Sequence, residues 1–170
     1  MNDIFWLSVV VVVASWMLTG IIRHHALARS LLDIPNSRSS HLNPTPHGGG
    51  LAIAIIFLTT LFILALLYRL SWSLTLGLLG SGTLVAIVGF IDDHRPIAAR
   101  WRLLVHFISA GWILYILKGL PPLLLFGMTL DLSWSGYLIA ALYLVWLLNL
   151  YNFMDGMDGF AGGMAVFGFG

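Results

Sequence analysis

Apolar residues run along this chain in long unbroken blocks, not in stripes. The blocks fall at 4–22, 51–68, 72–91, 103–117 and 132–150, and none shows a polar face. About 20 apolar residues in helical form cross the hydrocarbon core of a bilayer, and a helix satisfies its own backbone there without water. A segment that is apolar all round suits lipid or a bundle core. The pattern predicts an all-α fold: a polytopic transmembrane helix bundle of five complete spans. The fourth block is the shortest and contains His106. A sixth apolar run starts near residue 160 and is still apolar at Gly170, so it reads as the start of a sixth span. Residues 1–170 then form a single membrane domain, expected to be the N-terminal half of a longer protein. The first block exceeds the roughly 7–15 residues of a signal-peptide core. No basic residue precedes it, so it is expected to remain as a span.

The polar connections set an orientation. Arg23, Arg29, Arg38, Arg95, Arg100 and Arg102 fall in alternate connections, whereas the others hold only Arg69 and Lys118. Basic residues favour the cytoplasmic side, so the N-terminus is expected outside. Segments 23–49, 92–102 and the stretch after 150 then share the cytoplasmic face. Trp6, Trp72, Trp101 and Trp134 stand near predicted helix ends, where interfacial aromatics are favoured.

Composition narrows the function. The chain is 59% hydrophobic and 9% charged, against about 25% charged in soluble domains. A net charge of +1 with no basic block gives nucleic acid no surface. Cysteine is absent, which excludes disulfides and thiolate metal sites. Glutamate is absent too, so all seven acids are Asp. The six His show no HExxH or similar compact ligand pair, and no GxxxxGK[ST] loop occurs,.

Three polar stretches carry candidate chemistry. In RHHALARSLLDIPNSRSSHLNPTPHGGG, the helix is expected to continue to about Leu32 and to break at Pro35. Thr45, before Pro46, is pushed into an extended conformation, and the glycines from Gly48 allow close backbone approach. Arg38, His41, Thr45 and His47 offer hydrogen-bond donors suited to phosphate. The plain alternative is a polar linker with arginines at lipid headgroups. In GFIDDHRPIAARWRLLVHF, Asp92 and Asp93 repel unless a cation is near, and carboxylates belong at the membrane border or in a wet cleft. The alternative is a helix end that simply meets water. Arg102 and His106 are one helical turn apart and share a face. In NLYNFMDGMDGFAGG, Asp155 and Asp158 point the same way if helical, beside glycines that disfavour helix. A Gly-rich turn for close helix packing is the alternative there. Mg²⁺ is usually held by one or two carboxylates together with substrate phosphates. Four carboxylates on one face therefore suggest Mg²⁺, or Mn²⁺, held against a pyrophosphate, with a lipid as one substrate. A cation path through the membrane and a non-catalytic membrane scaffold are competing readings of the same residues.

RSSHLNPTPHGGGLAI, GFIDDHRPIAARWRLLVH and NLYNFMDGMDGFAGG, in that order, resemble the polyprenyl-phosphate N-acetylhexosamine-1-phosphate transferases. This membrane superfamily includes the peptidoglycan translocase and the enzymes that start O-antigen, enterobacterial common antigen and teichoic acid linkage units. The resemblance covers essentially the whole chain, as the family's N-terminal half. It implies transfer of an N-acetylamino-sugar 1-phosphate from a UDP-sugar to undecaprenyl phosphate, with release of UMP. It also implies Mg²⁺ dependence and a multi-pass protein of the bacterial inner membrane with its active site on the cytoplasmic face. A homodimer is compatible with it. Asp92 and Asp93 match the family's paired aspartates, tied to metal and catalysis. Asn152, Asp155 and Asp158 match the NxxDGxDG motif that contacts the nucleotide, the metal or the reacting phosphates. The catalytic and metal-binding candidates are therefore Asp92, Asp93, Asp155 and Asp158. Thr45, Gly48 and Gly49 match the first-connection motif at the substrate cleft, where Arg38 and His41 are added as substrate-binding candidates. Arg102 stands where the family tends to carry a basic residue for phosphate. His47 replaces a common Arg and His106 a common Gln, and the family's additional metal-binding Asp and His-rich loop have no counterpart in these residues.

Overall fold

A computed structural model of the chain describes residues 2–28, 32–33, 45–46, 48–120, 122–125, 127–154, 162–164 and 168. Five long helices appear in the order expected: α1 (Asn2–Ala28), α2 (Gly49–Leu66), α3 (Trp72–His94), α4 (Ala99–Leu117) and α5 (Ser133–Met154). Each helix packs on its neighbour in sequence, and α3 against α4 is the most extensive contact. Four of them, over Phe5–Ala28, Gly49–Leu66, Trp72–His94 and Ser133–Phe153, are long and apolar enough to cross a membrane. The helix α4 has 19 residues, about 28 Å at 1.5 Å per residue. It falls short in apolar character because Arg100, Arg102 and His106 lie in it. The expected fourth span is thus present as a helix of spanning length with a polar first half. Of the expected sixth span, only 162–164 and 168 are described, as helix.

The fold is not purely helical. β1 (Leu32–Asp33) pairs antiparallel with β2 (Thr45–Pro46), and β3 (Leu123–Leu125) with β4 (Met128–Leu130). Strands of two or three residues leave no readable alternation, so the apolar pattern did not reveal them. The first ladder also corrects the end of α1, which is described to Ala28 and does not take in Leu32. Leu32 is instead tied to Pro46, and Asp33 to Thr45.

The helix boundaries have local causes. Gly48 caps α2 in the left-handed region at φ 98, where a side chain would be strained. A Cβ there would also press on Ile22 of α1 at 3.1 Å. Ser71 caps α3, its hydroxyl accepting from Leu74 N at 3.3 Å,. Lys118 and Gly119 end α4 at φ 59 and 88, with Gly119 N donating to Leu114 O at 2.9 Å, a left-handed C-terminal cap. Before α5, the Asp131 carboxylate accepts from Ser133 N at 2.8 Å.

Among the described residues, small side chains make up much of the interior. Ala52, Ala65, Ala110 and Ala140 are buried, as are Thr75 and Ser109, while Trp16 is 77% and Trp146 58% exposed. Lipid tails are as apolar as Leu, so helices in a bilayer associate through close packing of small residues and leave large ones outward. The tightest approach lies between α3 and α4. At Gly80 an added Cβ would fall inside the Trp112 ring, and Trp112 Nε1 donates to the Leu76 carbonyl at 3.1 Å. Ser73 Oγ adds a bond to Ile116 O at 3.3 Å. Hydroxyls of Thr60, Thr75 and Ser81 donate back to the carbonyl four residues earlier, which satisfies them without water.

Gly80→Ala should therefore lower thermal stability in detergent by an overpacking cost of about 1–3 kcal/mol. Gly111→Ala on the facing helix, where a Cβ meets nothing within 4 Å, should leave the melting midpoint equal or higher. Equal behaviour of the two variants would overturn the close contact.

Candidate active site at one end of the bundle

The helix α3 ends in Ile91-Asp92-Asp93-His94. Two acids at a helix C-terminus oppose the helix dipole, so the local sequence needs compensation, and Asp92 has it. Its Oδ1 accepts from Ile97 N at 2.8 Å and its Oδ2 from Arg102 Nη1 at 2.7 Å. Pro96 lies inside the loop that this carboxylate closes, where it cannot extend the helix. Asp92 thereby fixes the α3–α4 connection and holds Arg102 from the first turn of α4. The pair is partly exposed, Arg102 at 29% and Asp92 at 20%, so its worth to stability is within about 1 kcal/mol. Its larger effect is to aim the guanidinium.

Asp93 is one residue on and therefore about 100° around the helix. The two neighbours border different spaces. Asp93 lines a cavity of about 540 Å³ between α2, α3, α4 and α5, whose wall is mainly apolar and includes Ala54, Val85, Ile113 and Leu147. Asp92 lines a smaller one of about 300 Å³, together with Arg102 and His106. Tyr151 and Asn152, in the last turn of α5, line both. Asn152 thus belongs, with Val85, Gly89, Leu148 and Tyr151, to the wall shared by the cavity that holds Asp93 and the one that holds Asp92 and Arg102. Gly50, directly after Gly48 and Gly49, brings the start of α2 to the larger cavity.

Neighbouring groups fall outside this set. His94 Nδ1 bonds the Phe90 carbonyl at 2.9 Å and its ring rests on Phe90 at 4.4 Å. The Arg100 guanidinium lies over Trp101 at 6.0 Å, a cation–π contact. Arg38, His41, His47, Asp155 and Asp158 lie outside the described residues. Of Thr45 only the backbone is described, paired with Asp33. The structure therefore brings together Asp92, Asp93, Arg102 and Asn152 around the two cavities, with Gly50 lining the larger one, whereas Gly48 and Gly49 line neither. Asp155 follows directly on the end of α5 at Met154.

Two residues at this end were absent from the expected site. His106 is 6% exposed, and Asn149 Nδ2 lies 3.2 Å from its Nδ1. The signal for His106 was its position one turn after Arg102. Nothing in the sequence pointed to Asn149 as its partner, because that contact spans α4 and α5.

Among the described residues, no group of three or more His, Asp or Glu side chains is arranged to hold a metal ion. Asp93 and Asn152 nonetheless bring a carboxylate and an amide oxygen to one cavity. Hard oxygen donors of this kind suit Mg²⁺, which is commonly held by few protein ligands and completed by phosphate and water. The donor set fits in kind. Asp92, with each oxygen already accepting a hydrogen bond, is bound first to Arg102 and the loop.

Comparison with known proteins gives this geometry a context. A probable undecaprenyl-phosphate N-acetylglucosaminyl 1-phosphate transferase of Bacillus subtilis is 26% identical over 89% of this chain and 42% of its own length. A decaprenyl-phosphate N-acetylglucosaminephosphotransferase of Mycobacterium leprae is 26% identical over 91% of this chain and 41% of its own length. A phospho-N-acetylmuramoyl-pentapeptide-transferase of Fervidobacterium nodosum is 32% identical over 72% of this chain and 40% of its own length. The chain thus spans about two-fifths of the length of these relatives. No solved structure matches it. The sequence profile of glycosyl transferase family 4 matches residues 75–170. That match runs from the first turn of α3 past both cavities and takes in Asp92, Arg102 and Asn152 alike, so the chain belongs to glycosyl transferase family 4.

Proposed function

We propose that this chain carries part of the active site of an enzyme that moves an N-acetylamino-sugar 1-phosphate from a UDP-sugar to undecaprenyl phosphate. The step would open cell-envelope polysaccharide synthesis at the cytoplasmic face of the bacterial inner membrane. The observation that carries this reading is the meeting of an acidic wall, Asp93, with a basic one, Arg102, across Asn152 at the mouth of a deep apolar cavity. A soluble sugar nucleotide needs the polar mouth, and a polyprenyl chain needs the apolar depth. The names of the relatives, each a transferase of this kind, support the same chemistry.

In this reading the lipid phosphate is the nucleophile. Its second pKa lies near ~6, so at neutral pH it is largely dianionic and requires no general base. One of its oxygens attacks the β-phosphorus of the UDP-sugar. The bond from that phosphorus to the oxygen bridging it to the α-phosphate breaks, and UMP leaves with the electron pair. The products are undecaprenyl-diphospho-sugar and UMP. Arg102, held by Asp92, orients the incoming phosphate, and charge placement of this sort dominates phosphoryl transfer. Asp93 and Asn152, with Asp155 and Asp158 beyond α5, are the residues that would hold Mg²⁺. Bound there, the ion supplies charge neutralisation for the pyrophosphate oxygens. The apolar walls of the larger cavity receive the first isoprene units and exclude water from the acceptor.

The test is UMP release by membranes containing the protein as its complete gene encodes it. Release should require both UDP-sugar and undecaprenyl phosphate, should stop with EDTA, and should fall roughly a hundredfold in Asp93→Asn or Asp155→Asn. Turnover indifferent to EDTA would remove the metal from the reading. Cation flux through liposomes without either substrate would replace the transferase with an ion path.

The orientation can be read separately: residues 1–170 contain no cysteine, so a single one introduced there, with any cysteine of the rest of the gene product replaced, is the label site. Ala98→Cys should react with a membrane-impermeant maleimide only after permeabilisation, and Thr129→Cys in intact cells. The reverse pattern would place the acidic pair on the outer face.

A further inference from the structure

His106 is the only histidine buried among the described residues, and the proposed reaction does not use it. Its surroundings define its protonation pattern. Asn149 Nδ2 donates to the Val145 carbonyl at 2.7 Å. Turning that amide over would set oxygen against oxygen, so the nitrogen stays where it is. The same nitrogen lies 3.2 Å from His106 Nδ1. A donor facing Nδ1 needs a lone pair there, so the ring proton belongs on Nε2. The ring makes no other hydrogen bond among the described residues. His106 nevertheless borders the small cavity that also holds Arg102 and Asn152.

We propose that Asn149 holds His106 as the neutral Nε2–H tautomer, and that this N–H is a second donor, beside Arg102, for the phosphate monoester of the acceptor lipid. The physical reason lies in Asp92. Arg102 is already paired with that carboxylate at 2.7 Å, so its charge is half spent before a phosphate arrives. A neutral, rigidly aimed N–H adds attraction for an oxyanion without adding a charge that Arg102, one turn away, would repel. Hydrogen bonds to charged groups are the stronger kind. The identity of the ligand rests on the transferase reading above; the tautomer does not.

Two measurements test this on the full protein in detergent micelles. With ¹⁵N-labelled histidine, the His106 resonances, assigned by their loss in His106→Gln, should show an unprotonated Nδ1 and a protonated Nε2. A protonated Nδ1, in either the other tautomer or the imidazolium, overturns the proposal. Undecaprenyl phosphate should then shift the Nε2–H signal, whereas undecaprenol, which has the chain without the phosphate, should not. A shift with undecaprenol alone would mean that the tail, not the phosphate, meets the ring. Inorganic phosphate serves as the third probe and should bind more weakly than the lipid; equal affinity would reject a lipid acceptor as the preferred ligand. His106→Gln keeps an N–H donor and should bind undecaprenyl phosphate within about threefold of wild type. His106→Leu should lose roughly tenfold or more, the worth of one hydrogen bond to a charged group. Equal losses in the two variants would reduce His106 to a packing residue. If binding follows this pattern but no UMP is ever released, the transferase reading fails and the lipid-phosphate site stands.

Discussion

α3 and α4 meet at Gly80, where the Trp112 ring fills the space that any side chain would need. Much of the molecule follows from that contact. Between helices in lipid there is little hydrophobic drive, so association depends on how closely backbones approach. Gly80 on α3 permits the approach, and the indole bond to the Leu76 carbonyl locks it. Once the two helices are fixed there, their ends have little freedom. The last turn of α3 and the first turn of α4 are brought near enough for Asp92 to reach Arg102 and to close the Ile97 loop. A packing constraint deep in the apolar layer thus decides the aim of charged groups at its border.

The helices were legible because a bilayer leaves no other reading for long apolar blocks. Predicted 72–91 became Trp72–His94, and predicted 132–150 became Ser133–Met154. Each real helix extends past the apolar edge, since hydrogen bonding continues after hydropathy has stopped. The grouping of Asp92, Asp93, Arg102 and Asn152 was legible from the sidedness of the connections. What the sequence could not convey was the division of labour between adjacent acids. That depends on the rotation of α3 about its axis, which is set by contacts with α4 and not by composition. The His106–Asn149 pair was hidden for the same reason, being a bond between residues far apart in the chain. The two short ladders were hidden because a few strand residues carry no period.

The site gathers polar groups without building a polar core. Back-bonded hydroxyls at Thr75 and Ser81 are satisfied within their own helix, while Asp92, Asp93 and Arg102 lie in the last turn of α3 and the first turn of α4. The side chains that can vary in charge are thus kept apart from those that set helix distance. Changes at the rim can accumulate without loosening the bundle.

Two adjacent carboxylates on one helix, each serving a different chamber, make α3 a phase-sensitive element. A one-residue insertion between Gly80 and Asp92 would preserve every motif as written text. It would nevertheless rotate the helix end by about 100° and hand Arg102 the wrong partner. The spacing from the Trp112 contact to the acidic pair is therefore as much a part of the site as the acids themselves, although it contains no functional group at all.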